Sequence, residues 1–163
     1  MARTLFIGRF QPLHNGHRHA IEQAQEQHDL IIGIGSAETH HTFHNPLTFD
    51  EREAIFHACL DQPEVRAIPD QDSDPDWMDW IEQRFDVDTC ISGNDHVRRL
   101  FRERGFTVLH PAYLDPDRYS GTRIRERAAQ AKEWQHLVPD CCLEKLQDIG
   151  FQQRLQTIYE NDG

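Results

Sequence analysis

Lysine is almost absent from this 163-residue sequence: Lys132 and Lys145 are the only two among 17 basic side chains, which face 28 Asp and Glu for a formal charge of −11. A field of that sign repels phosphate backbones and anionic membrane surfaces, so neither nucleic acid nor a membrane is an expected partner. The positive charge that remains is guanidinium, the group suited to forked binding of phosphate oxygens. No apolar run approaches the roughly 18 residues of a membrane span. Met1-Ala2-Arg3-Thr4 leads straight into a short strand-like segment instead of the apolar core of a secretion signal, and a cytoplasmic protein is expected. Cysteine is limited to Cys59, Cys90, Cys141 and Cys142. The last two are adjacent, which disulfide geometry rarely tolerates, and no pair has the C-x-x-C spacing of a zinc site, so reduced, mostly buried thiols are expected. Repeats, low-complexity tracts and linkers rich in Pro, Gly or Ser are also missing.

What is present suffices for one domain. With 37% hydrophobic residues, nine Phe, three Trp and three Tyr, the chain can bury a core. Hydrophobic periodicity predicts strands at Thr4 to Phe10, Leu30 to Gly35, Val65 to Pro69, Thr89 to Ser92 and Thr107 to His110. Helical spacing falls between them, at Gly16 to Gln27, Thr48 to Leu60, Asp76 to Arg84 and Asp95 to Arg104. Such alternation builds right-handed β-α-β units. The expected fold is therefore α/β: a Rossmann-like, doubly wound, parallel five-stranded sheet covered on both faces. After Tyr119 the pattern is helical only, at Gly121 to Glu133, Pro139 to Ile149 and Phe151 to Tyr159, a tail expected to pack on the sheet's end. One domain, 1–163, thus divides into an α/β core (1–118) and a helical part (119–163). The acidic run Asp70-Gln71-Asp72-Ser73-Asp74-Pro75-Asp76 reads as a solvated loop.

In an open parallel sheet, ligands bind beyond the carboxyl ends of the strands, where strand order reverses. The first strand is followed by Gly8-Arg9-Phe10-Gln11-Pro12-Leu13-His14-Asn15-Gly16-His17. Gly8 permits close backbone approach, and His14 and His17 flank the start of a helix whose free N–H groups attract anions. Two imidazoles so placed can donate hydrogen bonds to oxygens that gain charge in phosphoryl transfer, without acting as nucleophiles. A second cluster, Tyr119-Ser120-Gly121-Thr122-Arg123-Ile124-Arg125, opens the next long helix: Ser120 or Thr122 can cap it and bond phosphate, and Arg125 can turn back to an anion.

His14-x-Gly16-His17 and Ser120-Gly121-Thr122-Arg123-Ile124-Arg125 resemble the two signatures of the nucleotidyltransferase superfamily. Gly8-Arg9-Phe10-Gln11-Pro12, with Gly35-Ser36-Ala37, Asn45-Pro46-Leu47-Thr48 and Glu51-Arg52, resembles its archaeal-type nicotinamide-mononucleotide (NMN) adenylyltransferases, a likeness running from Leu5 to about Leu137. The resemblance implies transfer of AMP from ATP to NMN by direct in-line attack, giving NAD and pyrophosphate, with Mg2+ bound through the substrate phosphates. It also implies a homo-oligomer. Carried over position by position, it assigns catalysis to Arg9, His14, His17 and Arg125, and ATP binding to these with Gly8, Phe10, Gly16, Tyr119, Ser120 and Thr122. NMN binding falls to Ser36, His44, Asn45, Arg52, Asp72, Trp80, Gly93 and Asn94, with Trp77 the alternative to Trp80 for stacking on nicotinamide.

His44 stands where many of these enzymes carry arginine, which predicts activity falling as pH rises through the pKa of this imidazole. His40, His41 and His44 are too loosely spaced, and too poor in partner Cys or carboxylate, to be read as a metal site. Sister adenylyltransferases acting on pantetheine phosphate or FMN usually open with Gly-Thr-Phe-Asp, not Gly8-Arg9-Phe10-Gln11. A non-catalytic nucleotide-binding regulator is the alternative from another class.

Overall fold

The computed structural model describes residues 3–162. Strands β1 (Arg3–Gly8), β2 (Leu30–Gly35), β3 (Val65–Ile68), β4 (Val87–Ser92) and β5 (Thr107–Leu109) alternate with helices α1 (Asn15–Gln27), α2 (Phe49–Cys59), α3 (Asp74–Arg84) and α4 (Asp95–Glu103). Helix α5 (Gly121–Ala129), a 3-10 turn (Gln135–Leu137), α6 (Asp140–Ile149) and α7 (Phe151–Asp162) complete the chain. All strand pairings are parallel, in the order β3-β2-β1-β4-β5. The chain winds outward from β1 to β3, then returns past β1 to lay down β4 and β5. The crevice beyond the ends of β1 and β4 is thus the switch point, where a doubly wound sheet binds its ligands.

The sheet is covered on both faces. Leu5, Ile7, Ile31, Ile68 and Cys90 pack on one side with Met78 and Ile81 of α3 and Phe101 of α4. On the other side Phe6, Ile32, Ile34 and Ile91 meet Ala20 and Ile21 of α1 and Ile55 and Phe56 of α2. Burial from both sides explains why β2, Leu-Ile-Ile-Gly-Ile-Gly, is buried at every position.

Element ends differ from the expected ones where caps or left-handed residues intervene. β1 stops at Gly8, short of Phe10, because Phe10 turns to φ 53°. α3 begins at Asp74, two residues early, because Ser73 accepts the N–H of Asp76 and Pro75 lies in the first turn. Part of the acidic run is thus helical, with Asp74 and Asp76 at the positive end of the helix dipole. α5 ends at Ala129, four residues before Glu133, and Ala131 follows at φ 57°.

The tail corrects two expectations. It does not cap the sheet's end: α6 packs beside α2, α7 beside α5, and Trp134, Leu137, Val138, Leu146, Phe151 and Leu155 join the core on the α1/α2 face. Arg154 of α7 forms a bidentate pair with Glu51 of α2 (2.7 and 2.9 Å) and also donates to Pro46 O. The cysteines are not all reduced, since Cys59 and Cys141 form a disulfide with Cα atoms 5.4 Å apart. The pair is 82 residues apart in sequence and meets only because the end of α2 abuts the start of α6. Cys90 and Cys142 are free and buried, as expected.

Candidate active site

His14 caps α1 by accepting the His17 N–H at Nδ1 (3.1 Å), while His17 accepts the His14 N–H at its own Nδ1 (3.3 Å). This reciprocal box fixes both tautomers: each ring that accepts at Nδ1 carries its proton on Nε2, leaving that N–H as a donor. The rings stack with centroids 3.5 Å apart, and the edge-on rings of Phe10 (4.9 Å) and Tyr113 (5.7 Å) hold His17. Burial, then the charge of Arg125, lowers the pKa of His14 to about 3. Burial, then His14, holds His17 well below the ordinary imidazole value. Both are neutral donors across the physiological range.

Arg125 lies across from them on α5. Ser120 caps this helix by accepting the Arg123 N–H, and Arg125 folds back to donate to Gln11 O (2.8 Å) and Thr122 Oγ1 (3.3 Å). A Cβ at position 121 would stand 2.7 Å from the Arg125 guanidinium, so any other residue there would push the folded-back group aside. Arg125 is 3% exposed, and its buried Nε has no protein partner. Burial, then repulsion from Arg9, lowers its pKa to about 10, and it stays cationic at neutral pH.

These groups open onto one cavity of about 630 Å³, within the range of small-molecule sites. Gly8, Arg9, Phe10, His14, His17, Ser36, Tyr119, Ser120, Thr122 and Arg125 line it. Gly93 and Asn94 follow β4 on its other wall, where Asn94 caps α4 by accepting the Val97 N–H. Gly16 backs the site instead of facing it, pressed against the His14 ring. Asp70, Asp74, Trp77, His96, Val97 and Leu100 complete that end.

Five expected acceptor-site residues lie elsewhere. Trp80 points away from the cavity and packs on Phe85 beneath Arg84; Trp77, one turn earlier on α3, lines it instead. Asp72 is exposed outside the lining, because its loop turns inward at Asp70, Gln71 and Ser73. His44 is exposed beside Phe43 and does not line the cavity. Asn45 belongs to the turn at 42–45, where its N–H bonds Thr42 Oγ1.

Arg52, 1% exposed, does not line the cavity. Its guanidinium donates to the carbonyls of Thr48, Arg9, Gly35, Ser36 and Ala37 at 2.9 to 3.3 Å. It clamps the loops after β1 and β2, where Phe10 and Ser36 are held at φ 53° and 47°. Gln11 ties the same loops together through paired bonds to the Leu47 backbone, at 2.8 and 3.0 Å. Sequence reasoning missed Gln11 and Tyr113 as site residues, and only their loop positions could have signalled them.

Among the described residues, no group of three or more His, Cys, Asp or Glu is placed to hold a metal ion. None of their helices is long and apolar enough to cross a membrane.

Comparison with known proteins agrees with this geometry. The cytidylyltransferase-like family model matches residues 5–127, the stretch that carries His14, His17 and Arg125. The nicotinamide-nucleotide adenylyltransferase of Thermococcus sibiricus is 36% identical over 167 residues, spanning 96% of this chain and 89% of its own length. That of Methanosarcina acetivorans is 38% identical over 170 residues, spanning 99% and 97%. Among solved structures, a bifunctional NMN adenylyltransferase/ADP ribose pyrophosphatase from Francisella tularensis, complexed with AMP and a Mn ion, shares the fold with a TM-score of 0.77 at 20% identity. The superposition covers 99% of this chain and 53% of that one, so the chain spans about half the length of the solved protein.

Proposed function

This chain belongs to the cytidylyltransferase-like family, and from that premise we propose that it transfers the adenylyl group of ATP to the phosphate of nicotinamide mononucleotide, releasing pyrophosphate and NAD. The observation that carries this reading is the convergence of His14 and His17 of α1 with Arg125 of α5 on one cavity, whose far wall holds Gly93, Asn94 and Trp77.

The triphosphate lies against the imidazoles, Arg9, Arg125 and the start of α5. There the free N–H groups of the first turn, with Ser120 and Thr122 beside them, favour anionic oxygens. The Nε2–H donors of His14 and His17 and the guanidinium of Arg125 neutralise charge that grows as the bond from the α-phosphorus to the bridging oxygen breaks. Arg125 Nε, buried without a protein partner, suits a phosphate oxygen. The acceptor phosphate attacks in line from the side of Gly93 and Asn94, while Trp77 offers the face on which nicotinamide stacks. Magnesium arrives as part of the MgATP substrate and supplies further neutralisation of its phosphates. No protein nucleophile is required, because neutral donors and fixed cations suffice for a transition state that needs positioning and charge stabilisation.

The test is product formation from MgATP with NMN, pantetheine phosphate or FMN. NAD and pyrophosphate with NMN, and a His17→Asn enzyme slower by about 10²-fold or more in kcat, are the expected results. Preference for either rival acceptor, or tight binding of ATP and NMN without pyrophosphate release, contradicts the proposal.

A further inference from the structure

Charge is segregated around the cavity. The guanidiniums in its lining are Arg9, after β1, and Arg125, on α5. The wall contributed by β3 and α3 carries carboxylates instead, Asp70 and Asp74. Asp74 and Trp77 stand three residues apart on α3, hence on one face of that helix, and both line the cavity.

Asp74 is also held from across the crevice. His96 of α4 pairs through Nε2 with Asp74 Oδ2 (2.9 Å), and Arg99 donates to His96 Nδ1 (2.8 Å). A ring that accepts at Nδ1 is a neutral Nε2–H donor, so the chain Arg99–His96–Asp74 fixes the carboxylate without placing a second full charge on its contact atom. One carboxylate oxygen is engaged by His96, and the other is left for a ligand. The bridge lines the cavity beside Trp77, with side chains 48% and 54% exposed.

Resting on the nicotinamide reading above, we propose that Asp74, held in place by His96 and Arg99, makes this site select the amide over the carboxylate form of the pyridine mononucleotide. A carboxamide offers an N–H to the free Asp74 oxygen. The deamidated substrate presents a carboxylate there instead, and two like charges meet where Asp70 and Asp74 line the wall, while Arg99 reaches the Asp74 carboxylate only through His96. Both substrates carry the same cationic ring and the same phosphate, so this single substituent decides between them. Asp74 is the specificity-determining group, and His96 and Arg99 are positioning residues.

The experiment compares kcat/KM for NMN and for nicotinic acid mononucleotide in the intact enzyme with MgATP. The natural enzyme is expected to favour NMN tenfold or more. Asp74→Asn, which can donate to a carboxylate through its amide, is expected to shrink that ratio at least tenfold, chiefly through a lower KM for the deamidated substrate. Asp74→Glu is expected to keep most of the preference, and His96→Leu, which frees Asp74 to rotate, to fall between. An equal rate with both acceptors, or an unchanged ratio in Asp74→Asn while NAD is still formed, overturns this inference and leaves the proposed reaction standing. No adenylylation of either acceptor overturns both.

Discussion

The histidine pair shows how a single side chain serves fold and chemistry together. The His14 ring that caps α1 is buried beside the charge of Arg125, so the native state resists taking up a proton there. The sign of the consequence follows from linkage: the imidazole binds a proton below about 6.5 when unfolded but only below about 3 when folded. Over that window the unfolded state holds more protons, and stability is lost as pH falls. At pH 4 the share due to His14 is about 3 kcal/mol, from 1.36 kcal/mol for each pKa unit. Asn caps as well as His without titrating, so a His14→Asn protein should lose less stability than the natural one between pH 6.5 and 4 in urea unfolding. Parallel stability curves for the two proteins would contradict this account. The signature spacing of His14 and His17 was legible in the sequence; their mutual capping, and hence their tautomers, depends on backbone geometry that spacing does not specify.

At the scale of elements, α2 shapes the site without lining the cavity. Arg52 projects from its first turns into the space between the loops after β1 and β2 and satisfies five carbonyls, with no carboxylate in direct contact. Burial, opposed in part by Glu38, lowers its pKa to about 10, so the group stays charged and the carbonyl dipoles neutralise it. Removing it strands those carbonyls and releases the left-handed turns at Phe10 and Ser36. An Arg52→Met protein should be destabilised by about 3 kcal/mol or more and show raised KM for both substrates. Lysine, with three donors on one atom, should not restore it; full restoration by lysine would argue against the clamp. The helix itself, started in the structure by a Thr48–Glu51 capping box, was readable from apolar spacing. That Arg52 points at backbone and not at phosphate was not, because a motif arginine next to a phosphate site looks the same in sequence whichever way it turns.

For the whole molecule, the C-terminal tail is a brace. Arg154 grips Glu51 at the start of α2 and the Cys59–Cys141 disulfide grips its end, so both ends of the helix carrying Arg52 are tied to α6 and α7. Closing a loop of this length restricts the unfolded chain by roughly 4 kcal/mol on the chain-entropy view, with typical measured effects of about 2 to 4 kcal/mol. Replacing Cys59 and Cys141 by Ser is therefore expected to lower unfolding free energy by that amount, and the natural protein should yield two titratable thiols when denatured without reductant. Four thiols would refute the pairing. The sequence alone determined the alternation of strands and helices, the parallel sheet and the two motif clusters around His14–His17 and Ser120–Arg125, because periodicity, capping residues and Gly placement are local properties of the chain. Which tryptophan faces the cavity, which arginine is a clamp and which cysteines join were decided only when distant segments packed, since a side chain's direction and its partner across 82 residues are set by the neighbours that tertiary structure supplies.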